Sequence, residues 1–298
     1  LNGISIVGDI PIYVAYDSVD VWANPELFLL DKERKPIDVA GCPPDVFSPT
    51  GQLWGNPLYR WDHHRNTGYD WWVTRISWCF RLYDVVRIDH FRGFDEYFSI
   101  PAKDKTAVNG HWEKGPGIEL FQVIKARLGE KPIIAEDLGY VTDTVRRMVK
   151  ESGYPNMKVL EFAFDSRDSS GAGDYLPHNY THNCVVYTGT HDNDTVMGWY
   201  DTLKGADKKL CDDYLRLKNA DGEPIPREQI PWEFVRAAMS SVADLAIIPM
   251  QDYLGLGSEA RINIPSTLGI NWKWRMGNGD FTKELAGRIR SMTKLYGR

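Results

Sequence analysis

The segment "VVRIDHFRG", residues 85–93, ends an apolar run with several charged side chains that could take part in chemistry. In an extended strand, residues two apart point the same way, so Arg87 and Asp89 are expected on one face and His90 on the other. An arginine beside Asp89 lowers the pKa of that carboxyl and keeps it ionised. An ionised, positioned aspartate suits a nucleophile or a charge stabiliser and does not suit a general acid.

A second apolar run, "PIIAED" at residues 132–137, ends on two acids, Glu136 and Asp137. A glutamate that leaves an apolar run without an adjacent cation can have its pKa raised by desolvation and then holds a proton. One ionised and one protonated carboxyl form the pair that cleavage of a glycosidic bond requires. The residues alone do not choose between Glu136 and Asp137, and a structural network of ion pairs at the strand ends is the alternative interpretation.

A third segment, "TGTHDNDT" at residues 188–195, presents His191 and Asp192 after a strand and a glycine turn. A capping histidine with an Asx turn would explain this segment equally well. Asp89, His90 and His191 are also metal-ligand types, but no H-x-H or H-E-x-x-H spacing joins them, so the metal interpretation is the weaker one.

These segments belong to a series of β-branched runs that alternate with amphipathic stretches, a pattern typical of an α/β fold with a parallel sheet. Most runs end on an acid, and the carboxyl ends of parallel strands meet on one face, where ligands bind. We therefore expect the acids to share a cleft. The predicted strands are 4–10, 84–89, 132–137, 158–164, 184–192 and 245–252, and their terminal acids are Asp9, Asp89, Glu136 with Asp137, Asp192 and Asp252.

Two segments interrupt the alternation, residues 17–62 and 201–231, and we interpret both as insertions between barrel elements. Many of the 11 Trp and 15 Tyr residues lie on polar, glycine-rich stretches such as "GQLWGNPLYRW". A flat ring with a polar edge suits the apolar face of a sugar, so these aromatics favour a neutral, hydroxyl-rich ligand.

Composition excludes several classes of protein. The formal net charge of −6 comes without a long run of Lys or Arg, which argues against nucleic acid as a partner. The apolar runs are shorter than the roughly 18 residues that a membrane span needs. The four cysteines form no C-x-x-C pair, and Asn193 lies in a glycosylation acceptor, "NDT", inside the expected site. Both features predict a cytoplasmic protein.

Long segments of the chain strongly resemble the amylomaltases, the disproportionating 4-α-glucanotransferases related to the α-amylases. The resemblance runs from residue 3 to the end of the sequence and implies a TIM (β/α)8-type barrel with insertions. Residues 1–298 would be a partial catalytic barrel, strands three to eight, with the first two barrel strands absent from the sequence. The matching strings are "GDIPIYVAYDSVDVWANPELF", "GCPPDVFSPTGQLWGNPLYRW", "RIDHFRGF", "IIAEDLG", "TGTHDNDT" and "ARINIPSTLGINWKWR".

The resemblance also implies roles for single residues. It makes Asp89 the nucleophile, Glu136 rather than Asp137 the general acid/base, and Asp192 the stabiliser of the transition state. It assigns substrate contacts to five further residues and implies no metal or organic cofactor. These substrate-binding residues are Arg87, His191, Asp9, Phe47 and Trp54.

The implied activity is transfer of α-1,4-glucan segments between maltooligosaccharides by a retaining double displacement, with maltooligosaccharides and α-1,4-glucans as partners. A truncated, catalytically weak glucan-binding fragment and an amylase-type α-glucan hydrolase are the alternatives. A barrel without two of its strands has open edges. We expect an N-terminal segment or a second copy of the chain to cover them.

Overall fold

A computed structural model describes residues 2–45, 48–139, 141–165, 172–265 and 267–298, and its contacts divide the chain into two compact units. The first unit is Leu1–Asn156 and the second is Met157–Arg298. The strands of the described residues are β1 (Val7–Ile10), β2 (Asp38–Cys42), β3 (Gln52–Pro57), β4 (Val85–Ile88), β5 (Glu96–Pro101), β6 (His111–Lys114), β7 (Ile133–Ala135), β8 (Asn156–Val159), β9 (Cys184–Tyr187) and β10 (Leu245–Ile247).

Helices lie between most of these strands. The α-helices are α1 (Val19–Ala23), α2 (Trp61–Asn66), α3 (Asp70–Leu82), α4 (Ile118–Leu128), α5 (Asp143–Ser152), α6 (Val196–Thr202), α7 (Gly205–Leu215), α8 (Ile230–Met239), α9 (Met250–Leu254) and α10 (Lys283–Leu295). Short 3₁₀ helices occupy Pro25–Leu27, Phe91–Phe94, Leu160–Phe164, Ala172–Tyr175, Pro177–Asn179, Arg227–Gln229 and Ser258–Ala260.

Parallel strands in the order β1, β4, β7 form the central sheet of the first unit. Asp9 pairs with Arg87 across β1 and β4, and Ile88 pairs with Ala135 across β4 and β7. The next pairing, Ala135 with Asn156, is made by the first residue of β8. The Val and Ile side chains of β1, β4 and β7 are mostly buried, as expected for parallel strands covered by helices.

Local residues set both ends of helix α5 in the first unit. Thr142 caps α5 by accepting a hydrogen bond from the Val145 amide at 3.3 Å, and Gly153 ends the helix in a left-handed conformation, φ 74°. The apolar face of α5, Val145 with Met148 and Val149, is buried in the core.

The first unit also contains an antiparallel sheet, in the order β3, β2, β5, β6, that the sequence did not predict. Two of its strands, β2 and β3, fall within residues 17–62. Their sequences, "DVAGC" and "QLWGNP", carry glycines and a proline that hide a strand pattern.

The second unit holds β8, β9 and β10, with β9 and β10 parallel. The strand predicted at 158–164 ends at Val159 and continues as the 3₁₀ helix Leu160–Phe164. The strand predicted at 245–252 ends at Ile247, and Asp252 lies in α9, not at a strand end. Pro249 explains this difference, because it has no N–H for a strand ladder and precedes a helix readily.

The described parallel strands number six, and each overlaps a predicted strand, although β8 does so only at Lys158 and Val159. Among the described residues, no helix combines the length and the apolar character that crossing a membrane demands.

Candidate active site

Arg87 links two carboxylates at the ends of β1 and β4. Its Nη1 donates hydrogen bonds to both carboxyl oxygens of Asp9, at 2.7 and 2.8 Å, and its Nη2 lies 3.0 Å from Oδ1 of Asp89. The Arg87 side chain is 8% exposed, whereas the two aspartate side chains are each about 40% exposed. The buried arginine therefore holds two accessible acids. Arg87 and Asp89 lie on the same face, as strand alternation predicts.

The charge of Arg87 is secured by its partners. Burial alone would lower the pKa of the guanidinium, but the carboxylates of Asp9, Glu136 and Asp89 outweigh it and raise the pKa. A permanently charged arginine 3.0 Å from Asp89 favours the ionised form of that acid.

Glu136 follows β7 and is held by two backbone amides. The His90 amide donates to Oε2 at 2.6 Å, and the Leu138 amide donates to Oε1 at 2.7 Å. His90 adopts a left-handed conformation, φ 52°, directly after Asp89, and this turn directs its amide at Glu136. The nucleophile candidate and the acid candidate are thus joined through one backbone hydrogen bond.

The carboxyl of Glu136 is buried, and its pKa lies near neutral pH, so it can both hold and release a proton there. Burial is the main cause that raises its pKa to about 7, and the Asp89 carboxylate adds to it. Arg87 and the two backbone amides oppose this rise without cancelling it. The pKa of Glu136 is raised by desolvation, the cause that the sequence suggested.

Asp137, the acid that the sequence could not separate from Glu136, has different surroundings. Its carboxylate accepts a hydrogen bond from the Asn156 side chain at 3.3 Å, at the start of β8. Glu136, by contrast, contacts the turn that follows Asp89. The geometry favours Glu136 as the acid that acts with Asp89.

Aromatic rings surround His90. The Trp54 ring lies edge-on to the His90 imidazole, with 4.9 Å between centroids, and Tyr13 lies 6.5 Å away. Burial lowers the pKa of His90 to about 3, so the ring stays neutral. Trp54 lies in strand β3, and its indole N–H donates to Gln52 at 3.0 Å. Phe47, the other predicted aromatic, lies outside the described residues.

No cluster of three or more His, Cys, Asp or Glu side chains placed to hold a metal ion occurs in the parts of the chain that the structure describes. His90 is a packed, neutral ring.

In the second unit, a compact turn after β9 carries His191 and Asp192. The side-chain oxygen of Asn193 accepts hydrogen bonds from the backbone amide of Thr190 at 2.9 Å and from its hydroxyl at 2.7 Å. The Asp192 amide donates to the same hydroxyl at 3.3 Å. This is the Asx turn that the sequence allowed as an alternative, and here it presents the acid.

Asp192 is fixed by neighbours that the sequence interpretation did not single out. The side-chain amide of Asn263 donates to Oδ1 of Asp192 at 2.5 Å, and the Arg261 guanidinium donates to the Asp192 carbonyl at 2.6 Å. His191 Nε2 lies 3.4 Å from Oδ2, and the Trp272 ring lies 5.1 Å from the imidazole. The Asp192 side chain remains 43% exposed.

Arg261, Asn263 and Trp272 all belong to the string "ARINIPSTLGINWKWR". That string was a signal for the resemblance, but an Asn and a Trp in a loop indicate no contact with residues 71 and 81 positions away. The predicted residues therefore form two groups, one in each unit: Asp9, Arg87, Asp89, Glu136 and Trp54 in the first, and His191 and Asp192 in the second.

Comparison with known proteins places this arrangement in a family. A family model described as 4-alpha-glucanotransferase matches residues 1–280. A 4-alpha-glucanotransferase of Clostridium butyricum is 52% identical over 100% of this chain and 59% of its own length. One of Thermus thermophilus is 49% identical over 98% of this chain and 58% of its own length.

A solved structure agrees with these relatives. An amylomaltase of Streptococcus agalactiae in complex with acarbose is 43% identical, with a TM-score of 0.93, over 99% of this chain and 58% of that chain. Together with the parallel β/α pattern, this match confirms the predicted barrel fold class. The chain spans a little under three fifths of the length of these relatives.

Proposed function

The chain belongs to the 4-alpha-glucanotransferase family, and from that premise we propose that the protein transfers α-1,4-glucan segments between maltooligosaccharides. One observation carries the proposal. Glu136, buried and with a pKa of about 7, is hydrogen-bonded through the His90 amide to the turn that follows Asp89, and Asp89 is ion-paired with Arg87. An acid that holds its proton beside one that stays ionised is the pair that a retaining displacement uses.

The first step forms a glycosyl-enzyme. A carboxylate oxygen of Asp89 attacks the anomeric carbon of the donor, the glycosidic C–O bond breaks, and Glu136 gives its proton to the departing 4-oxygen. The positive charge of Arg87 keeps Asp89 ionised for this attack.

The second step reverses these roles. Glu136, now ionised, takes the proton from the 4-hydroxyl of an acceptor sugar, whose oxygen attacks the anomeric carbon and displaces Asp89. The new bond has the configuration of the old one. If water takes the place of the acceptor, the same residues perform hydrolysis.

By correspondence with the family, we assign Asp192 as the carboxylate that stabilises the positive charge of the transition state. The surroundings of Asp192 support this assignment, because Asn263 and Arg261 fix the residue while its side chain remains accessible. Arg87, His191, Asp9, Phe47 and Trp54 are the proposed substrate contacts.

We use the term complete polypeptide for the full natural protein to which these 298 residues belong. Its incubation with maltotriose tests this proposal against its alternatives. A ladder of longer and shorter maltooligosaccharides that includes glucose is the expected result. Glucose and maltose alone would identify a hydrolase and overturn the transferase assignment. Binding without turnover would identify a glucan-binding protein.

The edges of the parallel strands suggest an additional partner. Within the described residues, β1 pairs with β4 alone and β10 pairs with β9 alone, and Ile4 and Ile6 beside β1 are 80% and 55% exposed. Uncovered strand edges and apolar side chains invite pairing. We propose that further sequence of a longer polypeptide covers them, with a second copy of this chain as the alternative.

We also propose that the protein works in a reducing compartment such as the cytoplasm. Within the described residues the four cysteines form no disulfide; Cys79, Cys184 and Cys211 are buried, and burial raises the pKa of Cys42 to about 12. Thiol labelling and peptide mapping of the denatured native protein, without reductant, should find each of these four cysteines as a thiol. Disulfides in that material would contradict the proposal.

A further inference from the structure

Glu161 is a buried acid that the proposed mechanism does not use. It follows β8 in the 3₁₀ helix Leu160–Phe164 and is 2% exposed. Its amide donates to the Thr188 carbonyl at 3.3 Å, at the start of the "TGTHDNDT" segment. Among the described residues, its Oε1 has no hydrogen-bond partner. A buried polar atom without a partner is costly and calls for an explanation.

The charged neighbours of Glu161 favour its neutral form. Burial raises the pKa of its carboxyl well above the ordinary value, and the carboxylates of Asp252 and Asp194 raise it further, while Arg261 opposes them. The Arg261 guanidinium donates instead to the carbonyls of Asn263, at 2.8 Å, and Asp192, at 2.6 Å. An ionised Glu161 would be a buried charge beside two other acids.

The carboxyl of Glu161 lies directly against Gly189. A Cβ atom added at Gly189 would lie 2.7 Å from Oε1 of Glu161, closer than real Cβ contacts, and 3.2 Å from Cδ, so the buried carboxyl would have to shift. Gly189 is not in a left-handed conformation, so a side chain at this position would conflict with the Glu161 carboxyl and not with the backbone conformation. It precedes Asp192 by three residues.

Asp252 ties both ends of the same segment. Its Oδ2 accepts from the Thr188 hydroxyl at 2.5 Å and its Oδ1 accepts from the Val196 amide at 2.9 Å, and it is 1% exposed. With both ends of 188–196 held by Asp252, the contact with Glu161 supports the inner side of the turn between them.

We infer that Glu161, as an uncharged acid packed against Gly189, is a positioning residue that holds the turn presenting His191 and Asp192. A side chain at residue 189 could enter the space of this carboxyl only by displacing it. Because the carboxyl is neutral, the turn does not contact an unpaired buried charge. The role of Asp192 in this inference rests on the proposed function, whereas the packing and the protonation of Glu161 do not.

Three variants of the complete polypeptide test the positioning role. Glu161→Ala should lower kcat about 10- to 100-fold, because loss of support displaces Asp192, with KM changed less than about threefold. Glu161→Gln, neutral and of the same shape, should restore most of kcat. Glu233→Gln, which removes an acid ion-paired with Arg236 on α8, is the control for an unrelated Glu-to-Gln change.

Parental kcat in Glu161→Ala would overturn the inference. So would a Glu161→Gln variant as slow as Glu161→Ala, because that result requires an ionisable group.

Two measurements test the same inference without any assay of activity. The infrared spectrum of the parent minus that of Glu161→Gln, both at neutral pH, should show the carbonyl stretch of a protonated carboxylic acid. The variant should lack this band. In a double-mutant cycle, Gly189→Ala should lower the free energy of unfolding more in the parent than in Glu161→Ala, because the smaller side chain makes room for the new methyl group.

An unchanged infrared band, or additive losses in the cycle, would contradict the inference. If both measurements succeed while the parent shows no glucan transfer, the proposed function fails and the packing assignment of Glu161 stands.

Discussion

Glu136 is the residue on whose proton the proposed chemistry depends. Two backbone amides and Arg87 stabilise its ionised form, yet burial and the nearby Asp89 carboxylate outweigh them and bring the pKa to about 7. A general acid with a pKa near the working pH is matched to its task, since it donates in one step and accepts in the next.

The rate of donor cleavage should therefore depend on pH with a known sign. As pH rises above about 7, Glu136 loses the proton that the leaving group needs, so kcat/KM for maltotriose should fall about tenfold per pH unit. Glu136→Gln should lower transfer from maltotriose by about 10²- to 10⁴-fold. It should still react with α-maltosyl fluoride, whose leaving group needs no proton. A profile without this basic limb would contradict the assignment.

Arg87 should be irreplaceable by lysine. Its guanidinium bonds Asp9 through one nitrogen and Asp89 through another, a geometry that a single ammonium cannot reproduce. We expect Arg87→Lys to lower kcat by about tenfold or more, measured by glucose release from maltotriose. Arg127→Lys, in the exposed ion pair with Asp70, is the matched control and should behave like the parent. Equal kinetics in Arg87→Lys and Arg127→Lys would exclude a role for the two separate nitrogens with which Arg87 holds Asp9 and Asp89.

At the scale of elements, the sequence predicted what repeats and missed what depends on distant contacts. The parallel strands and the caps of α5 follow from local β-branched runs, Thr142 and Gly153. The antiparallel sheet depends on pairing between distant segments. The end of β10 at Ile247 is an exception, because its signal, Pro249, is local and the predicted strand 245–252 ran past it. Asp252 was consequently placed at a strand end, although it is a buried residue of α9.

Helix α3 should be a large contributor to the stability of the first unit. Ile76 is fully buried on the face of α3 that enters the core of that unit, so Ile76→Ala leaves a cavity and should lower the free energy of unfolding by about 2–5 kcal/mol. Thr74→Ala, at an exposed position of the same helix, should change it by less than about 0.5 kcal/mol. Urea unfolding at fixed pH compares them, and equal midpoints would refute this packing account.

At the scale of the whole molecule, the resemblance to the amylomaltases assigned roles to acids that residue patterns could not tell apart. Patterns of charge and periodicity indicated a pair of acids at strand ends, and the family correspondence chose Glu136 over Asp137. Neither could predict that Asn263 fixes Asp192, because that hydrogen bond joins residues 71 positions apart. The polar partners of a site are set by tertiary contacts that leave little trace in local sequence.

The exposed edges of β1 and β10 predict concentration-dependent association of the 298-residue chain by itself. Light scattering should show growth of assemblies with concentration for this chain and a fixed mass for the complete polypeptide. Lysine in place of Ile4 should reduce the association, whereas lysine in place of Thr106, an exposed polar position away from the edge, should not. A fixed monomeric mass of the isolated chain would contradict the proposal that these edges need a cover.

The most direct test of the proposed mechanism is the capture of its covalent intermediate. The complete polypeptide is incubated with 5-fluoro-α-glucosyl fluoride, in which the ring fluorine slows turnover of the glycosyl-enzyme, and then digested for mass spectrometry. We predict one added sugar on the peptide that contains Asp89, and none in Asp89→Asn. A label on any other residue, or on the Asp89→Asn protein, would contradict the assignment of Asp89 as the nucleophile.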